Sequence, residues 1–287
     1  LIQEAAMMDR ITIFSDMVVF TSYAMQVVIA FMMVSIVFIM LPRVSVSAKR
    51  ILEVLETKTN ITDGNETEGK PGVIGDIEFK NVSFTYPDSE EPILRNISFK
   101  AKKGETVAFI GATGSGKSSI INLIPRFYDA TEGEVLVDGV NVKQYKQEAL
   151  HAKIGYVSQT AVLFSGTIAS NVSYGETEQM EDSIQAVKRA VEIAQGKDFV
   201  EKFDGQYSGH IAQGGTNVSG GQKQRLSIAR AIYRKPEIYI FDDSFSALDY
   251  KTDRALRMAL KKETAHATTL IVAQRIGTIK EADQILV

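Results

Sequence analysis

The chain has no cysteine and no tryptophan among its 287 residues, and only three histidines. Lack of cysteine excludes a disulfide scaffold, a thiolate zinc site, an iron–sulfur cluster and a cysteine nucleophile. His151, His210 and His266 lie far apart and offer no metal-ligand spacing of the HxxxH kind. A basic excess is missing as well. The 32 Lys and Arg against 35 Asp and Glu leave a formal charge of −3, which argues against a surface built to coat nucleic acid. No internal repeat or long low-complexity tract is visible. At ~150 residues per domain, the length suggests one large domain or two ordinary ones. The sequence begins at Leu1 and stops in the strand-like run Ile285-Leu286-Val287, so it is expected to be a piece of something longer.

Charge is also missing locally. No charged residue occurs from Met17 to Pro42, and ~20 apolar residues at ~1.5 Å each cross a bilayer core of ~30 Å. A buried core helix is usually shorter and interrupted by charge. The apolar stretch of a cleaved signal is shorter too, and ends at a small-residue cleavage site. Arg43, Lys49 and Arg50 follow the run, whereas Glu4, Asp9 and Asp16 precede it with only Arg10 in balance. The positive-inside bias therefore places the C-terminal side in the cytoplasm. Thr21, Ser22, Tyr23, Gln26 and Ser35 suit a helix bundle or a water-lined cavity better than bare lipid. Beyond Pro42, Val46, Ile51, Leu52 and Leu55 recur at near-helical spacing and predict an amphipathic stalk. Residues 58–75 are polar and rich in turn formers, and read as a linker.

Beyond the linker stands a phosphate site. The β-type run Thr106–Ile110 leads into Gly111-Ala112-Thr113-Gly114-Ser115-Gly116-Lys117-Ser118 and then the helical-looking SSIINLIPRF. This is GxxxxGK[ST] in its required strand–loop–helix setting. Glycines let backbone N–H groups curl around phosphate oxygens, and the helix start adds its positive dipole end. Lys117 supplies a cation to the phosphates and the Ser118 hydroxyl a ligand for Mg²⁺. The matching carboxylate is Asp242, closing the apolar run Ile238-Tyr239-Ile240-Phe241. Such a run is what a parallel sheet covered on both faces produces, and the acid would hold magnesium. Over a hundred residues separate Lys117 from Asp242, which implies an inserted subdomain.

That interval holds Val218-Ser219-Gly220-Gly221-Gln222, and here the sequence resembles the ATP-binding-cassette (ABC) transporter family, whose signature is SGGQ after a leucine-like residue. Further elements recur in the family's order across about residues 76–287. Tyr86 resembles the aromatic that stacks on adenine. Gln159 resembles the Q-loop glutamine linking magnesium to the membrane part. Ser246-Ala247-Leu248-Asp249 looks like the D-loop. The resemblance implies an α/β P-loop NTPase of the ABC type, with ATP and Mg²⁺ as cofactors, and with antiparallel β and helical subdomains near 76–107 and 160–235. A transmembrane α-helix precedes that domain. The resemblance extends the binding set to Ser119 and implies a head-to-tail pair, each ATP gripped by one domain's phosphate loop and the other's signature. Residues 1–57 would be the end of a transmembrane domain, with its last membrane helix at about 17–42 plus the cytoplasmic stalk. Residues 76–287 would be a cytoplasmic nucleotide-binding domain truncated at its C-terminus. The protein would lie in the cell membrane and act as an ATPase-coupled exporter of a drug-like molecule, lipid or peptide, with no nucleic acid partner.

Two positions depart from the family pattern. Asp243 stands where the resemblance implies a water-polarising glutamate, and Gln274 where it implies a switch histidine. A carboxylate one methylene shorter pulls back by ~1.5 Å, and a misplacement of ~1 Å can cost ~100-fold in rate. Glutamine donates a hydrogen bond but carries neither a proton nor a positive charge. The pair resembles the degenerate site of a heterodimeric bacterial exporter, slow at hydrolysis, whose signature completes a competent site on a partner half-transporter. A slow symmetric homodimer and an ATP-gated or regulatory membrane protein are the other readings.

Other signals are bland. Asn60, Asn65, Asn81, Asn96, Asn171 and Asn217 sit in Asn-x-Ser/Thr triplets, but on the inferred cytoplasmic side, where none is glycosylated. Lys100, Lys102 and Lys103 read as a solvated hairpin rim.

Overall fold

The computed structural model describes residues 2–175 and 184–287. Part of the helical stretch expected near 160–235 therefore lies outside the described residues. The chain divides into two units after Asn60.

The first unit is one helix, α1 (Ile2–Leu55). Pro42 has no N–H to donate into the helical ladder, yet the helix runs through it. The hydroxyls of Thr12, Thr21 and Ser35 donate to the carbonyls four residues back, at 3.0, 2.7 and 2.9 Å. Those bonds satisfy the polar groups of an otherwise apolar stretch internally. The helix is long and apolar enough to cross a membrane.

The second unit is built on two larger sheets. Its strands begin with β1 (Ile77–Phe84), β2 (Leu94–Ala101) and β3 (Thr106–Phe109), followed by α2 (Lys117–Leu123). Next come β4 (Glu132–Val137), β5 (Val140–Asn141), α3 (Gln147–Ala152), β6 (Ile154–Val157), β7 (Gly166–Thr167) and α4 (Ile168–Val172). Then α5 (Ile184–Ile193), α6 (Lys197–Val200), β8 (His210–Ile211), α7 (Gly220–Tyr233) and β9 (Ile238–Asp242) lead to α8 (Tyr250–Glu263), β10 (Thr268–Val272), α9 (Ile276–Ile279) and β11 (Gln284–Leu286).

One sheet is antiparallel in the order β2-β1-β4-β5, the other parallel in the order β11-β3-β10-β9-β6. The antiparallel part thus extends past the 76–107 expected of it, to Asn141, while Thr106 already opens a parallel strand. In β1, Ile77, Phe79, Val82 and Phe84 are buried and the register shifts between Phe79 and Val82. Gly133 passes close to that irregularity, since an added Cβ would fall 2.3 Å from the Asn81 carbonyl oxygen. Only glycine fits.

All five residues of β9 and of β10 are buried. Side chains of a strand alternate between faces, and both faces are covered. Tyr239, Phe241 and Ile271 join a core with Leu226, Ile228 and Ile232 of α7. Ile238, Ile240, Leu270 and Val272 join a second core with Phe79, Phe109 and Ile121. The ends of these strands are thereby fixed, and the chemistry sits on those ends.

Residues 61–75, polar enough to read as a linker, are hydrogen-bonded into the domain. Gly64 N donates to Tyr145 O at 2.9 Å, Glu66 N to Gln144 O at 2.8 Å, and Lys70 N to Asp138 O at 2.9 Å. Buried Arg126 donates to Thr62 O at 2.8 Å and to Asp129 at 2.8 Å. Nearby, burial works against the charge of Lys153, but hydrogen bonds to Asp138 and Glu237 outweigh it and hold its ammonium up at about 12.

Candidate functional site

Four neighbouring parallel strands deliver their C-terminal ends to one edge. The loop after β3 carries Gly111–Ser118, and the loop after β10 carries Gln274. β9 ends in Asp242 with Asp243 next, and the loop after β6 carries Gln159. All of these except Gly111, Ala112 and Ser115 line a cavity of about 210 Å³, joined by Tyr86, Ile93, Ser119 and Val272.

The phosphate loop needs its glycines. Gly114 and Gly116 have φ of 83° and 90°, and an added Cβ at Gly116 would come within 2.8 Å of Leu94. α2 then starts at Lys117, so its first-turn amides face the cavity mouth. The Lys117 ammonium curls over the loop, donating to Gly111 O at 2.9 Å and Ala112 O at 2.7 Å, with Ser115 Oγ at 3.4 Å.

Asp242 is buried, and Ser118 Oγ donates to its Oδ1 at 3.0 Å. Burial pushes the Asp242 carboxyl up, and the Ser118 and Tyr156 hydroxyls pull it back. Asp243 is also buried, in the left-handed region at φ 44°, which aspartate tolerates better than most residues. Its Oδ2 accepts from two amides at once, Gln274 Nε2 at 3.0 Å and Gln159 Nε2 at 3.3 Å. Burial pushes this carboxyl up as well, countered by the Gln159 bond and by the charges of Arg275 and Lys117.

Tyr86 lines the same cavity beside the start of α2. Its hydroxyl is 2.9 Å from Ser119 Oγ, and edge contacts with Phe84 at 4.7 Å and Tyr128 at 5.1 Å brace the ring.

Ser219–Gln222 and Asp249 do not line this cavity. Ser219 caps α7 in a reciprocal box, its Oγ accepting from Gln222 N at 3.3 Å while Gln222 Oε1 accepts from Ser219 N at 2.8 Å. Ser219 and Gly220 are exposed, and an added Cβ on Gly221 would approach Ala247 O at 3.3 Å. Asp249 caps α8 through Thr252 N at 3.0 Å, a bond that holds its carboxyl below the usual range. Gln224 Nε2 donates to Ser158 O at 3.1 Å, joining the signature helix to the Q-loop.

Sequence reasoning passed over Tyr156, Asn122 and Ile93. Tyr156 stands three residues before Gln159 in a strand-like run, where a lone tyrosine reads as core. Its hydroxyl instead reaches Asn122 Oδ1 at 2.9 Å and Asp242 Oδ2 at 3.3 Å.

The chain belongs to the ABC transporter family, whose pattern matches residues 94–246. It is 44% identical over 275 residues to an ABC transporter ATP-binding protein of Mycobacterium tuberculosis H37Rv, covering 95% of this chain and 47% of that protein. It is 41% identical over 252 residues to the ATP-dependent lipid A-core flippase of Escherichia coli K12, covering 86% of this chain and 43% of the flippase. The fold matches a bacterial Atm1-family ABC exporter solved with ATP bound, at TM-score 0.79 and 33% identity over 88% of this chain and 44% of that one. The second unit is accordingly an ABC-type P-loop ATPase domain, of a class that binds ATP and generally Mg²⁺. The chain spans about half the length of the relatives it matches.

Proposed function

We propose that the chain is the ATPase-bearing part of an ABC exporter subunit whose own nucleotide site binds ATP but hydrolyses it slowly. Ser118, Asp242 and Gln159 offer hard oxygen donors, the kind Mg²⁺ takes alongside phosphate oxygens, so the residues present fit the ion. Bound there, Mg²⁺ would neutralise phosphate charge. Gly111–Ser119 would cradle the phosphates, Lys117 would exchange its loop carbonyls for phosphate oxygens, and Tyr86 would stack on the base.

The observation that carries the slow-site reading is the double hydrogen bond on Asp243 Oδ2. A general base needs a free carboxylate oxygen to turn toward water. Here it is short by a methylene and engaged by two amides, and Gln274 can neither accept the proton nor stabilise charge as an imidazolium would. Exposed Ser219, with the amides of Gly220 and Gly221 at a helix start, supports a role in completing the site of a second half-transporter. Residues 1–57 fit the end of a membrane domain with a cytoplasmic stalk, and the domain of 76–287 would face the cytoplasm. The flippase relative supports a lipid cargo among the drug-like, lipid and peptide classes.

The test compares two variants in the assembled transporter. Ser219→Ala removes a cap worth ~1 kcal/mol and a bond to charged phosphate worth ~1.5–3 kcal/mol, so ATP turnover should fall at least about tenfold. Asp243→Asn should change turnover by less than about threefold, because little turnover depends on it. Near-total loss in Asp243→Asn would assign hydrolysis to this chain's own site and overturn the reading.

A further inference from the structure

Asp242 is tethered at both oxygens, by Ser118 on α2 and by Tyr156 on β6. The two tethers are not equivalent. Ser118 lines the cavity and is itself one of the magnesium donors proposed for this site, its lone pairs free for the ion while its proton goes to Asp242. Tyr156 keeps no other duty at the cavity.

Its placement is rigid. β6 pairs with β9 so that Tyr156 lies beside Ile240, and the ring packs edge-on against Phe127 at 5.4 Å. The hydroxyl has one proton but two oxygens within reach, Asn122 Oδ1 at 2.9 Å and Asp242 Oδ2 at 3.3 Å. The two ends of an asparagine amide are alike in shape. In the structure the phenol donates to Asn122 Oδ1 at the shorter distance; with the amide turned so that Nδ2 faces the phenol, that proton would be free for Asp242. In either orientation the phenol on β6 links α2 to the end of β9.

We propose that Tyr156 is a positioning residue for the magnesium carboxylate, fixing the plane of Asp242 and so setting how tightly this site retains Mg²⁺ with nucleotide. The inference rests on Asp242 being the magnesium carboxylate. A carboxylate turns easily about its terminal torsion, and loss of a hydrogen-bond partner behind a metal ligand typically weakens metal binding 10–100-fold. Phenylalanine preserves the ring packing and deletes only the donor.

The experiment is 8-azido-ATP photolabelling of this chain in the assembled membrane protein, titrated with Mg²⁺ and repeated in EDTA. Tyr156→Phe should raise the half-maximal Mg²⁺ concentration about tenfold while leaving labelling in EDTA unchanged. An unchanged Mg²⁺ midpoint in Tyr156→Phe overturns the proposal. So does an equal loss of labelling in EDTA, which marks a purely structural role. Asp242→Asn serves as the reference. If that variant keeps full Mg²⁺ stimulation, the assignment of Asp242 fails, and the role of Tyr156 with it.

Discussion

Lys117→Ala should weaken ATP binding at this chain's site by about a hundredfold, measured as the ATP concentration giving half-maximal photolabelling. The ammonium stands to make at least two charge-assisted bonds to phosphate oxygens, each worth ~1.5–3 kcal/mol. Against that, Nζ must give up Gly111 O and Ala112 O, which it holds at 2.9 and 2.7 Å. A net loss near ~3 kcal/mol remains, and each 1.4 kcal/mol is about tenfold. The fold should hardly notice, because the lysine is only partly buried and its partners are loop carbonyls beside solvent. Binding within about threefold of wild type would sink the phosphate-loop reading.

Phe241→Ala is expected to cost ~3–5 kcal/mol of domain stability, the range for emptying a buried phenylalanine site. Phe241 is 1% exposed and its ring packs tilted at 40° against Phe245, with centroids 5.3 Å apart. Its strand is interior to the sheet, flanked by β10 and β6, so the cavity left behind has little room to collapse. For a domain of this size each kcal/mol corresponds to ~2–4 °C. The unfolding midpoint of the ATPase domain should therefore fall by roughly 6–20 °C, followed by differential scanning fluorimetry of the purified protein. A shift under about 2 °C would mean that the core here is looser than the burial implies.

Two of the strands carrying the site, β9 and β10, were readable because their burial is total. An apolar run ending in acid at Asp242, and another at Thr268–Val272, leave few alternatives once both faces are covered. The start of α7 was readable for a local reason, since Ser219 and Gln222 form a capping box within four residues. What escaped notice depends on partners distant in the chain. Residues 61–75 pair through backbone groups with residues 138–147, and backbone pairing leaves no side-chain signature in a polar, glycine-rich stretch. Ser83 to Glu132 and Gly166 to Ile211 are pairings of the same kind. The methylene missing at Asp243 was visible in the sequence. That Gln159 and Gln274 converge on one of its oxygens was not, because they follow different strands whose order along the sheet is not their order in the chain.

Asn122 and Ser118 belong to the same short helix, so the links Ser118–Asp242, Asp242–Tyr156 and Tyr156–Asn122 close into a ring through α2. A ring constrains descent as well as geometry. Losing any one link leaves the others strained or underused, so a substitution at one member lowers the cost of the next.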